Sequence, residues 1–368
     1  MYRMAFQIFA CVATAWGSVM GNHVANAEDK IWVYFAGDGV HQYSFDLETG
    51  ALEPLSSNQD AKPSFLAFHP NERFIYGCGK NLSAFAIDQQ SGELTFLNAI
   101  PYPKQGLCHL SVDKTGSYVL SAGYGAGTIV VQRIEKDGRL GKQSALVQHE
   151  GSSILEGRQN APHAHSINLD AGNKYAFAAD LGTDDIFIYR FDAETGTLEP
   201  AEQPSISTKP GAGPRHFSFH PNGRFAYVIN ELDSTVGAYR YDASAGRLEQ
   251  IETQTTLPDD FKGANSTAEV VVHPSGRFLY GSNRGHNSIA VFAIDQATGK
   301  LTFVEHMSTG GKWPRNFCVD PTGKFLLAAN KQSDNIRVFR IDQQSGKLTL
   351  TPHIAEVPHP SCIRFLRP

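Results

Sequence analysis

A short signature, Asp-x-x-x-Gly-x-Leu, returns along this chain with a regularity that fixes the class of fold before any chemistry enters. It reads Asp46 to Gly50 with Leu52, Asp88 to Gly92 with Leu94, Asp192 to Gly196 with Leu198, Asp242 to Gly246 with Leu248, Asp295 to Gly299 with Leu301, and Asp342 to Gly346 with Leu348. A degenerate copy stands at Glu135, Gly138 and Leu140. A second recurring segment runs from Phe65 to Phe74, Arg215 to Phe225 and Val270 to Phe278, each around a His-Pro turn, with looser copies near Lys114, Asn173 and Lys324. Residues such as Phe217, Phe219, Tyr227 and Val236 carry the aromatic and β-branched bias of half-buried strands, and Pro-Asn-Gly or Pro-Ser-Gly between them supplies turns. No segment beyond the N-terminal region shows a sustained apolar stripe of helical period, which argues against crossover helices. Repeats of about 40 to 50 residues holding about four short strands each mark a β-propeller. The expected fold is all-β, with seven blades of four antiparallel strands.

Both ends of the repeat array agree with closure into a ring. The first unit begins at Ile31 to Phe35, which matches a second strand, and the last segment, Pro360 to Phe365, matches a first strand. The C-terminal strand is therefore expected in the first blade, which removes two sheet edges at once. Residues 1–27 read differently. Arg3, an apolar run from Ala5 to Met20, and small residues at Ala25 and Ala27 form a signal peptide, with an apolar run shorter than the ~20 residues of a membrane span. Cleavage after Ala27 would leave a propeller over 28–368, exported to the periplasm and free of the membrane.

A formal charge of −5 without blocks of Lys or Arg disfavours nucleic acid as a partner. Cys78, Cys108, Cys318 and Cys362 lack metal-ligand spacing; in an exported protein they could pair, and buried free thiols are the simpler expectation. Nothing in the chain calls for a cofactor or a bound metal.

The repeat also sorts residues by rim. Residues that start a first strand share one rim with those that leave a second strand. The former are His109, His163 with His165, Arg215 with His216, Glu269 and Arg315, and the latter Tyr124, Asp180, Glu231 and Arg284. The opposite rim carries His69, His220 and His273, which recur with the repeat and read as turn or packing elements. Arginines, carboxylates and histidines converging on one mouth are the mixture that holds an anionic substrate and moves a proton.

At these residues the chain resembles a known family. Pro162 to His165, Gly213 to His216, Val228 to Leu232 with Ser234 to Val236, Ser282 to His286 and Gly310 to Arg315 are similar to motifs of the lactonase family of seven-bladed propellers, as is the Tyr124 to Gly127 loop, with Ala126 in place of one glycine. That family includes propeller-type 6-phosphogluconolactonases and fungal carboxy-cis,cis-muconate lactonizing enzymes. The resemblance implies a site of His163, Arg215, Glu231 and Arg284. Strand alternation leaves His165 as an alternative to His163, and Glu269, His286 and Arg315 form a second set of substrate-binding candidates.

The implied reaction is hydrolysis of a small anionic sugar-acid lactone. Water must be deprotonated, the oxyanion stabilised and the ring held. Glu231 or His163 is the expected base, with the other orienting it, and Arg215 and Arg284 hold negative charge. No Gly-x-Ser-x-Gly elbow is present, and Ser166 beside His165 is weak evidence for a covalent route. Export favours an unphosphorylated gluconolactone as the second substrate. A muconate-type cycloisomerase, a non-catalytic periplasmic binding propeller, and a metal-dependent gluconolactonase using Glu231, Asn283 and Asp180 are the other readings.

Overall fold

The structure, a computed structural model, describes Met1 and residues 30–366. The expected leader lies outside the described residues. Among them, 28 strands form seven four-stranded antiparallel sheets. Blade one combines Lys30–Gly37, Gly39–Asp46 and Leu52–Asn58 with an innermost strand, Cys362–Phe365, from the far end of the chain. Val33 pairs with Phe365 and Ala36 with Cys362, so the ring closes as the repeat pattern predicts. The innermost strands of blades two to seven are Phe65–Phe68, Leu107–Val112, Ala164–Leu169, Pro214–Phe219, Ser266–Val272 and Pro314–Val319. Each packs against the next around the axis.

The repeated signature proves to be the joint between blades. Asp46 Oδ1 accepts the N–H groups of Glu48 at 3.0 Å and Thr49 at 2.8 Å, and Gly50 N–H donates to the Asp46 carbonyl at 2.8 Å. Gly50 takes φ 79°, where a side chain costs about 1–2 kcal/mol. A Cβ there would also lie 2.7 Å from the Phe325 ring of blade seven. The same glycine-to-aromatic contact joins Gly92 to Trp32, Gly138 to Phe74, Gly196 to Tyr118, Gly246 to Tyr175, Gly299 to Phe225 and Gly346 to Phe278. Seven joints close the ring.

The recurring histidines do similar work. His69, His220 and His273 each donate Nε2–H to a carbonyl of the following blade, at Gly116 (3.0 Å), Gly276 (2.8 Å) and Gly323 (2.8 Å). Their Nδ1 atoms accept the N–H of Asn71, Asn222 and Ser275, each at 3.1 Å. Apolar packing lies between the sheets rather than at one centre. Phe35, Phe45, Phe325 and Val338 fill the seam between blades one and seven, and Tyr227, Ile229, Leu279 and Phe292 that between five and six. Each such side chain contributes roughly 1.5–3 kcal/mol. Cys78, Cys108, Cys318 and Cys362 are free thiols.

Candidate active site

The innermost strands of blades three to seven each carry a bulge at one end of the ring. Pairing with the second strand breaks between Leu107 and His109, Ala164 and Ser166, Pro214 and His216, Thr267 and Val270, and Pro314 and Asn316. The residues left out of register are Cys108, His165, Arg215, Ala268 with Glu269, and Arg315. A bulge frees a residue from the ladder and re-aims its side chain. Three of these residues, Cys108, His165 and Arg315, line a cavity of about 380 Å³ together with Ser64, Tyr124, Glu231 and Arg284. The last three stand at the ends of second strands, so the two strand types supply the two halves of the wall.

Glu231 is the hub. Its Oε2 accepts from Arg215 Nε at 2.9 Å and Arg284 at 2.8 Å, while its Oε1 accepts from Arg158 at 2.7 Å. His165 Nε2 lies 4.0 Å from Oε2. Arg215 is 1% exposed and donates a further hydrogen bond to the Ala268 carbonyl at 2.6 Å; Arg284 donates to the Thr267 carbonyl at 2.5 Å and stacks over Trp313, 5.4 Å from the ring centre. Two of the three guanidiniums are thus pinned to backbone.

Burial alone would raise the Glu231 carboxyl. The Arg284 and Arg215 charges and the Arg158 hydrogen bond overcome it and hold the group well below the usual carboxylate range. Burial and the like charge of Arg215 push Arg284 down to about 9 and lower Arg315 as well. Burial, then Arg215, keeps His165 far below the ordinary imidazole value, so its ring is neutral. The cavity therefore presents one ionised carboxylate, several cations and a neutral imidazole.

Beneath this layer, His216 donates Nδ1–H to Glu269 Oε1 at 2.9 Å, and Asn316 donates to Oε2. Burial raises the Glu269 carboxyl against the pull of Arg364 and Arg215. The His109 and His165 rings lie 5.2 and 5.3 Å from that of His216. To one side, His163 stacks on Tyr124, with centroids 4.5 Å apart and planes 15° apart, and donates Nδ1–H to the Tyr124 carbonyl at 2.8 Å.

The residues 32–365 match the family model described as "Lactonase, 7-bladed beta-propeller". The chain belongs to the lactonase family of seven-bladed β-propellers. It is 39% identical over 335 residues to a 6-phosphogluconolactonase of Bacillus subtilis, covering 89% of this chain and 95% of the relative. It is 34% identical to a 6-phosphogluconolactonase of Formosa agariphila, over 77% of this chain and 82% of that one. Among solved structures, a periplasmic gluconolactonase of Pseudomonas aeruginosa superposes with a TM-score of 0.87 at 32% identity, covering 92% of this chain and 99% of the other.

Within this lactonase fold, Arg215, Glu231 and Arg284 meet as the sequence led us to expect. Of the two histidines, His165 faces the carboxylate, whereas His163 rests on Tyr124. The bulge at His165 breaks the alternation that would have put both on one face. Among the second set, Arg315 lines the cavity, and Glu269 lies below it against His216. His286 lies apart, bonded to Ser288 Oγ at 2.7 Å and packed edge-on against Phe261. Glu231, Asn283 and Asp180 do not converge: Asn283 bonds Thr256 and Asp180 bonds His149. Among the described residues no group of three or more His, Cys, Asp or Glu is set to hold a metal ion. Arg158 escaped the sequence reading because it sits in the stretch between Gln148 and Ala164, which belongs to no repeat unit. That irregularity was the available signal.

Proposed function

We propose that this chain hydrolyses the lactone ring of an anionic sugar acid, with 6-phosphogluconolactone as the leading substrate. The observation that carries this reading is Glu231 bound by three guanidiniums beside a neutral imidazole, in a cavity whose Arg315 donates to no protein acceptor among the described residues. Such a site has spare positive charge for an anion and an unprotonated nitrogen for water.

In the proposed mechanism His165 takes a proton from water as it attacks the lactone carbonyl. Glu231, firmly ionised, is a poor base and serves instead to stabilise the imidazolium and to hold Arg215 and Arg284 in place. Arg284 and Arg315 face the oxygen on which negative charge grows. Ring opening then returns the proton to the leaving alkoxide. The field of the arginines that depresses His165 is the field an anionic substrate offsets, so binding favours the base.

A second reading, an unphosphorylated gluconolactone met outside the cytoplasm, is favoured by the signal-peptide pattern of residues 1–27 and by the likeness to a periplasmic gluconolactonase. Purified protein assayed against 6-phosphogluconolactone, glucono-1,5-lactone and a muconolactone, above spontaneous hydrolysis, decides between these. Turnover of none would replace the enzyme with a binding propeller. Export is tested by the N-terminal sequence of protein recovered from the periplasm, expected to begin at Glu28.

A further inference from the structure

The three arginines on Glu231 are not equivalent. Arg215 and Arg284 lie on strands, are buried, and each spends a donor on a backbone carbonyl. Arg158 lies in a loop, its side chain is 43% exposed, and among the described residues no backbone carbonyl accepts from its guanidinium. Its guanidinium donates to Glu231 Oε1 at 2.7 Å and also interacts with the side chain of Tyr124, which lines the cavity.

The loop itself is fixed on either side of this side chain. Gln159 is 0% exposed; its Nε2 donates to the Leu181 carbonyl at 2.8 Å, and its Oε1 accepts from Leu155 N–H at 3.2 Å. Ser153 Oγ donates to Asp184 Oδ2 at 2.5 Å, and the same carboxylate accepts the N–H groups of Gly211 and Gly213, each at 2.6 Å. Arg158 can therefore swing without unfolding the loop. Only the Arg158 end of this ion pair reaches solvent, and Glu231 keeps Arg215 and Arg284 when Arg158 leaves, so the guanidinium can be exchanged to another anion without stranding the carboxylate.

The charges facing the cavity favour that exchange. Arg158, Arg215, Arg284 and Arg315 surround the single ionised carboxylate of Glu231, and Lys331 is lowered by burial and by the nearby Arg315 and Arg284 charges. A neutral ligand leaves this excess uncompensated, whereas a phosphate accepts a guanidinium fork in two parallel hydrogen bonds.

Resting on the lactone-hydrolase reading above, we propose that Arg158 is the specificity-determining residue of the pocket. It docks on Glu231 and transfers to an anionic substituent of a bound lactone, so that a phosphorylated ring is told from an unphosphorylated one by this side chain.

The test compares wild type, Arg158→Ala and Arg158→Lys on 6-phosphogluconolactone and glucono-1,5-lactone, with inorganic phosphate titrated as an independent probe of anion binding. Loss of a charge-assisted fork should lower kcat/KM on the phosphorylated lactone about 10- to 100-fold in Arg158→Ala. The loss on the unphosphorylated lactone should be much smaller, so the ratio of the two collapses, and Arg158→Lys should recover part of it because charge is kept and the fork is not. Equal losses on both substrates, or none on either, overturn the proposal, the first by reducing Arg158 to a support for Glu231. If wild type opens no lactone yet binds phosphate through Arg158, the reaction assignment fails and anion reading by Arg158 stands. If wild type opens lactones and Arg158→Ala changes neither the ratio nor phosphate binding, the reverse holds.

Discussion

Asp180 places its Oδ2 2.7 Å from His149 Nδ1, with both side chains sealed from solvent. Its Oδ1 accepts the backbone N–H groups of His163 at 2.7 Å, Gly182 at 2.9 Å and Thr183 at 3.3 Å. One carboxylate thus fastens the approach to the His165 strand and the turn whose Leu181 carbonyl holds Gln159. Removing it leaves several buried donors without an acceptor. Asp180→Ala is expected to lower the free energy of unfolding by about 3–5 kcal/mol, read from urea titration, and Asp180→Asn, which keeps one acceptor oxygen, by less.

The two histidines near the mouth are separable by substitution. His165 faces Glu231, and its ring is neutral; His163 is stacked on Tyr124. If His165 is the base, His165→Asn should reduce kcat by ~10²–10⁴, while His163→Phe, which preserves stacking on Tyr124, should cost less than about tenfold. The reverse ranking in kcat would move the base to His163. Glu231→Gln should cost ~100-fold or more, because it removes the counter-charge that holds Arg215 and Arg284 in place.

Much of this was legible in the chain because its causes are local. The Asp turn, the left-handed glycine and the aromatic strand each follow from a few neighbouring residues, and Arg215, Glu231 and Arg284 stand out by departing from the repeat. What lay beyond reach depends on distant partners. The bulge at His165 is set by pairing with the Tyr175–Asp180 strand, and a one-residue shift exchanges the faces of a strand. Arg158 meets Glu231 across 73 residues of sequence. The charge state of Glu231 follows from guanidiniums brought by three separate segments, which no spacing rule anticipates.

Stability should fall on mild acidification. His109, His165 and His216 are held well below the ordinary imidazole value, first by burial and then by neighbouring positive groups. The unfolded chain takes up protons at these rings as pH drops below 6.5, the native state does not, and so the native state loses ground. The slope approaches about 4 kcal/mol per pH unit if all three rings act together, at 1.36 kcal/mol for each. The sign is shared by Glu231: its depressed carboxyl contributes stability above 4.5 that disappears as pH falls toward its folded value. Denaturant midpoints at pH 7.5, 6.5 and 5.5 measure the imidazole part, and substituting His216 with Phe should flatten the curve.

The joint between blades makes the sharpest stability prediction, because two glycines separate its two causes. Gly299 and Gly223 have nearly the same backbone, φ 76° and φ 68°, so a Cβ at either is strained to a similar degree. At Gly223 nothing lies within 4 Å of the added carbon, whereas at Gly299 it would stand 2.5 Å from the Phe225 ring, which is fully buried. Gly223→Ala should therefore cost only the left-handed penalty of about 1–2 kcal/mol. Gly299→Ala should add an overpacking cost of about 1–3 kcal/mol, since Phe225 is fully buried in the apolar cluster between blades five and six and has little room to retreat. Equal losses in the two variants, measured by urea unfolding, would mean that the ring yields at its joints and that the repeated glycine is there for turn geometry alone.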